Sequence, residues 1–258
     1  MKTYRFFLED IKQDLYDKIK KNPYYASKLI EKLRLNKREI PDELLNLFLH
    51  NPEYLDNILR NMIADSDWKT LNNPIIKKIL EQHAVLSFDL FELLYDYHIE
   101  KLEQLFNNKN PFLYALYKGI SKDSVLSKKL MLKYAGKMIK VNFDTGEETS
   151  RFKFPIIILN SINDEMATAY EFAQILLDRD KKVPESTMKK LATSVVYSIQ
   201  IALYCNKEKN RNVPEIILKT IANHKRGTLT YYQYLIERNL PVPKIIIDAL
   251  DKWGGPGI

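Results

Sequence analysis

The chain has 258 residues, 45% hydrophobic and 28% charged, with 7 glycines, 11 prolines and one cysteine. That is the composition of an ordinary folded domain; it excludes a disordered or glycine-rich chain and, with Cys205 alone, an internal disulfide framework. The net charge of +7 points to nucleic acid or an acidic partner, yet residues 41–120 carry 7 Lys+Arg against 12 Asp+Glu, so no continuous basic stripe runs along the chain.

At the N-terminus, acids arrive too early in MKTYRFFLEDIKQD for a secretory segment, and no apolar run anywhere reaches the roughly 18 residues of a membrane span. The expectation is a cytoplasmic protein that does not enter a membrane. Residues 8–19, with Leu8, Ile11, Leu15 and Ile19 on one face, predict an opening helix with a lysine-rich outer side. Asn22-Pro23-Tyr24-Tyr25, Asn51-Pro52-Glu53-Tyr54 and Asn110-Pro111-Phe112-Leu113-Tyr114 each place an Asn cap and a Pro at the start of an apolar helix. The first two prolines are 29 apart and the next gap is 59, about twice that, with the intervening copy expected just after His83, where AVLSFDLFELLYDY supplies a helix without the Pro. Each of these would be the second helix of a hairpin. The first helices would be those opened by Ile40-Pro41 and Asn73-Pro74 and the stretch 99–106, so that helical hairpins fill residues 1–120.

Between 121 and 154 the rhythm fails. Residues 121–136 read as a helix ending at Gly136. The alternating stretches 138–143 and 150–154 around Asp144-Thr145-Gly146-Glu147 then predict a short β-hairpin inserted between two half-arrays.

From residue 155 to 258 one phrase is written four times: Phe154-Pro155, Val183-Pro184, Val213-Pro214 and Val242-Pro243, with prolines 29, 30 and 29 residues apart. A fixed period in this range marks a repeat architecture. Apolar residues four and seven after each proline (Leu159/Ile162, Met188/Leu191, Leu218/Ile221, Ile247/Leu250) predict the buried seam of a first helix. Positions 17, 20 and 21 after the proline give the seam of a second: Phe172/Ile175/Leu176, Ile201/Tyr204/Cys205 and Tyr231/Tyr234/Leu235. Position 14, held by Ala169, Ser198 and Thr228, is small, as close helix approach requires. Such hairpins cannot bury their apolar faces alone, so neighbours must stack. The predicted fold is therefore all-α: an α-solenoid of stacked helical hairpins with one short β-hairpin insertion, divided as 1–120, 121–154 and 155–258.

With this phrase in hand, the sequence resembles the short helical-hairpin repeats of the HEAT-like α-solenoid kind, and looks like the degenerate helical repeats of uncharacterised proteins of large bacterial viruses. The tetratricopeptide and ankyrin signatures are absent. The resemblance implies a curved surface that holds another macromolecule.

Catalytic chemistry finds no foothold in the pattern. Asp144-Thr145-Gly146 lacks the second triplet that an aspartic protease needs and reads as a turn. The histidines His50, His83, His98 and His224 show no metal-ligand spacing, and no phosphate-binding or nucleophile motif is present. No catalytic, cofactor or metal residue is assigned. Two surfaces remain. Positions 16, 19 and 23 after the proline form a polar stripe on the second helices, which makes Gln200, Leu203 and Gln233, with Tyr232 as an aromatic anchor, candidates for binding a protein partner. The alternative is a nucleic-acid edge made by the turns, through Lys181, Lys182, Lys209, Arg211, Lys225 and Arg226.

Overall fold

The computed structural model describes residues 18–19, 21–138, 156–209 and 212–254, with the backbone alone for 106, 134–138 and 207–209. Among them every regular element is an α-helix or a 3₁₀ turn. The expected β-hairpin lies outside the described residues except for Met138, which ends a helix, and residues 8–17 of the expected opening helix lie outside them as well. The chain forms two compact units: described residues up to Leu130 with 156–158, and 131–138 with Leu159 onward.

The first unit contains α1 (Pro23–Leu35), α2 (Asp42–Asn46), 3₁₀ turns at Leu47–Leu49 and Pro52–Tyr54, α3 (Asp56–Ala64), α4 (Trp68–Leu71), α5 (Pro74–Gln82), α6 (Ala84–Tyr97), α7 (Ile99–Asn107), α8 (Pro111–Ile120) and the start of α9 (Ser124–Met138), as far as Leu130. Three of the Asn-Pro starts work as the sequence predicts, but Asn51 makes no cap bond, its side chain donating instead to Leu47 O at 3.1 Å, and Pro52 opens only a 3₁₀ turn. Asn22, Asn73 and Asn110 each accept from the backbone N–H two residues on, at 3.0, 2.7 and 2.9 Å, while the proline fills the first helical position, where a donor would have no partner. Helices pack in two rows, α2 on α5 on α8 and α1 on α3 on α6.

This arrangement changes the expected phase. α8 is a first helix, not a second, and α7 is no first helix but an extra piece after α6, from which it is separated at His98. The prolines opening the first helices are Pro41, Pro74 and Pro111, 33 and 37 residues apart, because α4 and α7 lengthen the links between hairpins. The 59-residue gap compared helices of different rows. Likewise α9 does not stop at Gly136 but runs on to Met138.

The second unit repeats the two-row plan with α10 (Ile156–Asp164), α11 (Met166–Asp178), α12 (Glu185–Leu191), α13 (Val195–Lys209), α14 (Glu215–Ala222), α15 (Lys225–Glu237) and α16 (Lys244–Lys252). α12 packs on α14 and α14 on α16; α11 packs on α13 and α13 on α15. Hydrogen bonds join the C-terminal ends of the first row in series: Lys190 Nζ donates to Asp164 O (3.3 Å), Thr220 Oγ1 to Ala192 O (3.0 Å) and Trp253 Nε1 to Ala222 O (3.3 Å). The first-row helices of this unit are therefore parallel, with their C-termini at one end.

Inside the hairpins a second device recurs. Ser87 donates to Leu80 O, Ser127 to Ile120 O, Ser198 to Leu191 O and Thr228 to Ile221 O, at 2.7, 3.2, 3.3 and 2.9 Å, always across seven residues. Each of these carbonyls, near the end of its helix, accepts a backbone N–H three residues on at 3.0–3.3 Å, and the small hydroxyl of the next helix adds a second donor while letting the helices approach. That accounts for the hydroxyl of Ser198 and Thr228 at position 14, while Ala169 there meets only the packing requirement. Four second-row helices end alike as well: after α1, α3, α11 and α15, Lys37, Ser66, Asp180 and Asn239 take positive φ, from 53 to 58°, and the next N–H bonds back to the carbonyl five residues earlier, an ending that Lys109 repeats after α7. This is the Schellman ending, built without glycine.

The first-helix seam keeps the expected position seven, and Met188 at position four, but position three replaces position four in the other repeats, where Leu159 and Leu218 are only half-buried. Positions three and seven after the proline are buried: Ile158, Thr187, Ile217 and Ile246 are all fully enclosed, whereas Ile247, at position four, is 45% exposed. Thr187 is the exception in chemistry, since its enclosed hydroxyl has no hydrogen-bond partner where its counterparts are isoleucines. Thr187→Val keeps the shape and removes the unpaired group, so it should stabilise the second unit by about 1 kcal/mol. A thermal melt reads this directly; a lower midpoint would mean that the hydroxyl is bonded in solution.

Candidate partner-binding surface

The second-row helices α11, α13 and α15 lie side by side and turn one face to solvent. Glu171 and Asp178 on α11, Gln200 on α13, and Thr230, Gln233 and Glu237 on α15 are exposed along it, with Leu203 half-buried among them. Gln200 and Leu203 are one turn apart on α13, and Gln233 occupies the corresponding face of α15. Tyr232 does not join them. One residue from Gln233, it stands about 100° round the helix, at the position that Ala173 and Ala202 fill in the preceding second-row helices. Those alanines are fully buried, while Tyr232 is half-buried.

The surface is fixed from beneath by tyrosines. Tyr204 Oη donates to Asp178 Oδ1 at 2.5 Å, tying α13 to α11, and Asn206 Nδ2 donates to Tyr231 Oη at 2.7 Å, tying α13 to α15. Tyr170 and Tyr197 meet with ring centroids 5.6 Å apart, and the Arg238 guanidinium lies 4.8 Å from the Tyr234 ring centroid. Burial pushes the Tyr231 phenol up to about 12 against the smaller opposing effect of the Asn206 hydrogen bond, and burial raises Tyr170 too, so both hydroxyls stay protonated at neutral pH. The stripe is a polar skin, of which Glu171, Asp178 and Glu237 give an acidic component, over a rigid aromatic layer.

The basic residues separate. Lys181 and Lys182 are exposed in the loop from α11 to α12, at the N-terminal ends of the first-row helices. Lys225 and Arg226 open α15 in the turn after α14, at the C-terminal ends of those helices, so the two pairs occupy opposite ends of the hairpins. Lys209 ends α13 with its side chain outside the described residues, and Arg211 lies outside them altogether. Cys205 is buried in the seam. Among the described residues no cluster of three His, Cys, Asp or Glu is placed to hold a metal, and no helix is long and apolar enough to cross a membrane. The histidines sit at helix junctions: His83 Nε2 meets Leu49 O at 2.9 Å, and His224 Nδ1 accepts from Gly227 N at 3.1 Å.

A second recess lies in the first unit and was missed in the sequence. It is a groove of about 300 Å³ between α1 and the segment from Pro52–Tyr54 into α3, lined by Tyr24, Lys28, Glu31, Glu53, Tyr54 and Asn57 among others. Tyr24 and Tyr54 are 50% and 39% exposed. At one side Arg34 donates to both oxygens of Glu31, at 3.0 and 2.7 Å, and also to Asp65, while Asn61 donates to Glu31 at 3.2 Å. The Arg34 hydrogen bonds hold the Glu31 carboxyl below its usual range. The Asn-Pro phrases at 22–25 and 51–54 supply the groove's two rings at unequal offsets, Tyr24 directly after its proline and Tyr54 one residue further, so no shared spacing marked the groove.

No protein-family model matches the chain, and no curated protein or solved structure matches it significantly.

Proposed function

We propose that this chain is a non-catalytic protein-binding adaptor, scaffold or inhibitor of the cytoplasm, an α-solenoid of the HEAT-like kind that holds its partner on the second-row face through Gln200, Leu203 and Gln233. The observation that carries the reading is the solvent-facing stripe shared by three successive helices, whose side chains are open while the tyrosine layer beneath them is tied down. A rigid polar face with a partly exposed apolar residue suits protein recognition, where preorganisation limits the ordering cost of binding. Tyr232 contributes from the flank of α15. The resemblance to helical repeats of large bacterial viruses fits a host-directed adaptor or inhibitor.

The test is affinity purification from the native host, with and without nuclease, using the wild-type chain and the Gln200→Ala/Leu203→Ala/Gln233→Ala variant. The reading expects a protein partner that survives nuclease and moderate salt and dissociates faster from the triple variant. Material that vanishes with nuclease, with an affinity falling linearly in log salt and abolished by Lys181→Glu/Lys182→Glu, would replace it with the nucleic-acid reading.

A further inference from the structure

We propose that the groove between α1 and α3 receives a cationic side chain of a partner protein, an arginine by preference, against the Tyr24 and Tyr54 rings and the Glu53 carboxylate. This site is separate from the stripe of the second unit and does not depend on it.

Four observations converge. The Tyr24 ring already attracts a cation, since Lys28 Nζ stands 5.5 Å from its centroid. The Tyr54 ring lines the same recess and is part-exposed. Of the two carboxylates in the groove, Glu31 is taken up by Arg34 and Asn61, whereas Glu53 is exposed and makes no ion pair among the described residues. The volume of about 300 Å³ is at the low end for ligand pockets and suits one long side chain rather than a folded cofactor. A guanidinium meets these conditions better than an ammonium, because its plane stacks on an aromatic face while its edge forks to a carboxylate. Lys28 is then an internal competitor that holds the aromatic face until a partner's arginine displaces it.

The experiment is calorimetric titration of the full chain with an acetylated, amidated hexa-arginine peptide and with hexa-glutamate. The net charge of +7 repels the first and attracts the second, so binding of the arginine peptide requires a local site. The expected result is saturable binding of hexa-arginine that Glu53→Gln and Tyr54→Ala each weaken by about two- to fivefold and Lys28→Ala strengthens by a similar factor. The opposite sign for Lys28→Ala cannot arise from misfolding. No saturable heat with hexa-arginine, or an affinity left unchanged by Glu53→Gln and Lys28→Ala, would overturn the proposal.

Discussion

Gly119→Ala is expected to destabilise the first unit by about 2 to 4 kcal/mol, an unusually large effect for one added methyl group. A β-carbon at this position would stand 2.1 Å from Leu80 O and 2.4 Å from Ser87 Oγ. Both atoms belong to the hydroxyl-to-carbonyl bond that closes the α5–α6 hairpin, and the nearer one is backbone. α8 can approach α5 so closely only because residue 119 has no side chain. Relief would have to come from moving α8 off its neighbour, which opens the packed contact between them, or from breaking the Ser87 bond, which leaves Leu80 O with only the His83 N–H at 3.3 Å. Gly227→Ala is the informative contrast. There the closest atom is Val195 Cγ2 at 2.7 Å, the end of a side chain that can turn, so the loss should be clearly smaller. Denaturant unfolding followed by circular dichroism gives both values, and equal losses would mean that α8 does not rest on α5 in this way.

Ile221→Ala should cost about 2 to 5 kcal/mol, since it empties a fully enclosed site. Ile221 lies at position seven of the seam, on the helix held between α12 and α16, and its carbonyl receives Thr228. Neighbours tied on both sides cannot collapse into the space easily. Gln233→Ala, on the open stripe of α15, should stay within about 0.5 kcal/mol. Equal melting temperatures for the two variants would invert the assignment of inner and outer faces.

The second unit could be read from the sequence because its prolines keep a constant interval and its links between hairpins contain no extra helix. Helices begin right after Pro184, Pro214 and Pro243, and the seam residues Leu191, Ile221 and Leu250 are buried as their spacing predicts. The shift from position four to position three was not legible because both positions are apolar in the pairs Ile158/Leu159, Ile217/Leu218 and Ile246/Ile247, so hydropathy could not choose between them, and in the remaining repeat the apolar Met188 is itself buried. In the first unit the same Asn-Pro phrase opens helices of both rows, and α4 and α7 lengthen two links; period alone could not assign α8 to its row. The hydroxyls of Ser87, Ser127, Ser198 and Thr228 looked merely small, because which carbonyl lies opposite is a three-dimensional fact. The candidate stripe was legible in Gln200, Leu203 and Gln233, whose spacing fixes a helical face. Tyr232 and the basic residues were not. A tyrosine beside a stripe residue points elsewhere, and turns close in sequence alternate between the two ends of a hairpin stack.

The central claim is that the hairpins of the second unit stack in register with their first-row helices parallel. Lys189, Lys219 and Asp248 occupy equal positions on α12, α14 and α16, each five residues after its proline, and all are exposed. Spin labels placed pairwise at these sites in a Cys205→Ala background, measured by electron–electron double resonance, report the stacking directly. With helix axes about 8 to 10 Å apart, the 189–248 distance should be narrow and close to twice the spacing between neighbouring helices, near 20 Å before allowing for label length. A broad distribution, or a 189–248 distance no longer than the 189–219 distance, would contradict the stacked arrangement.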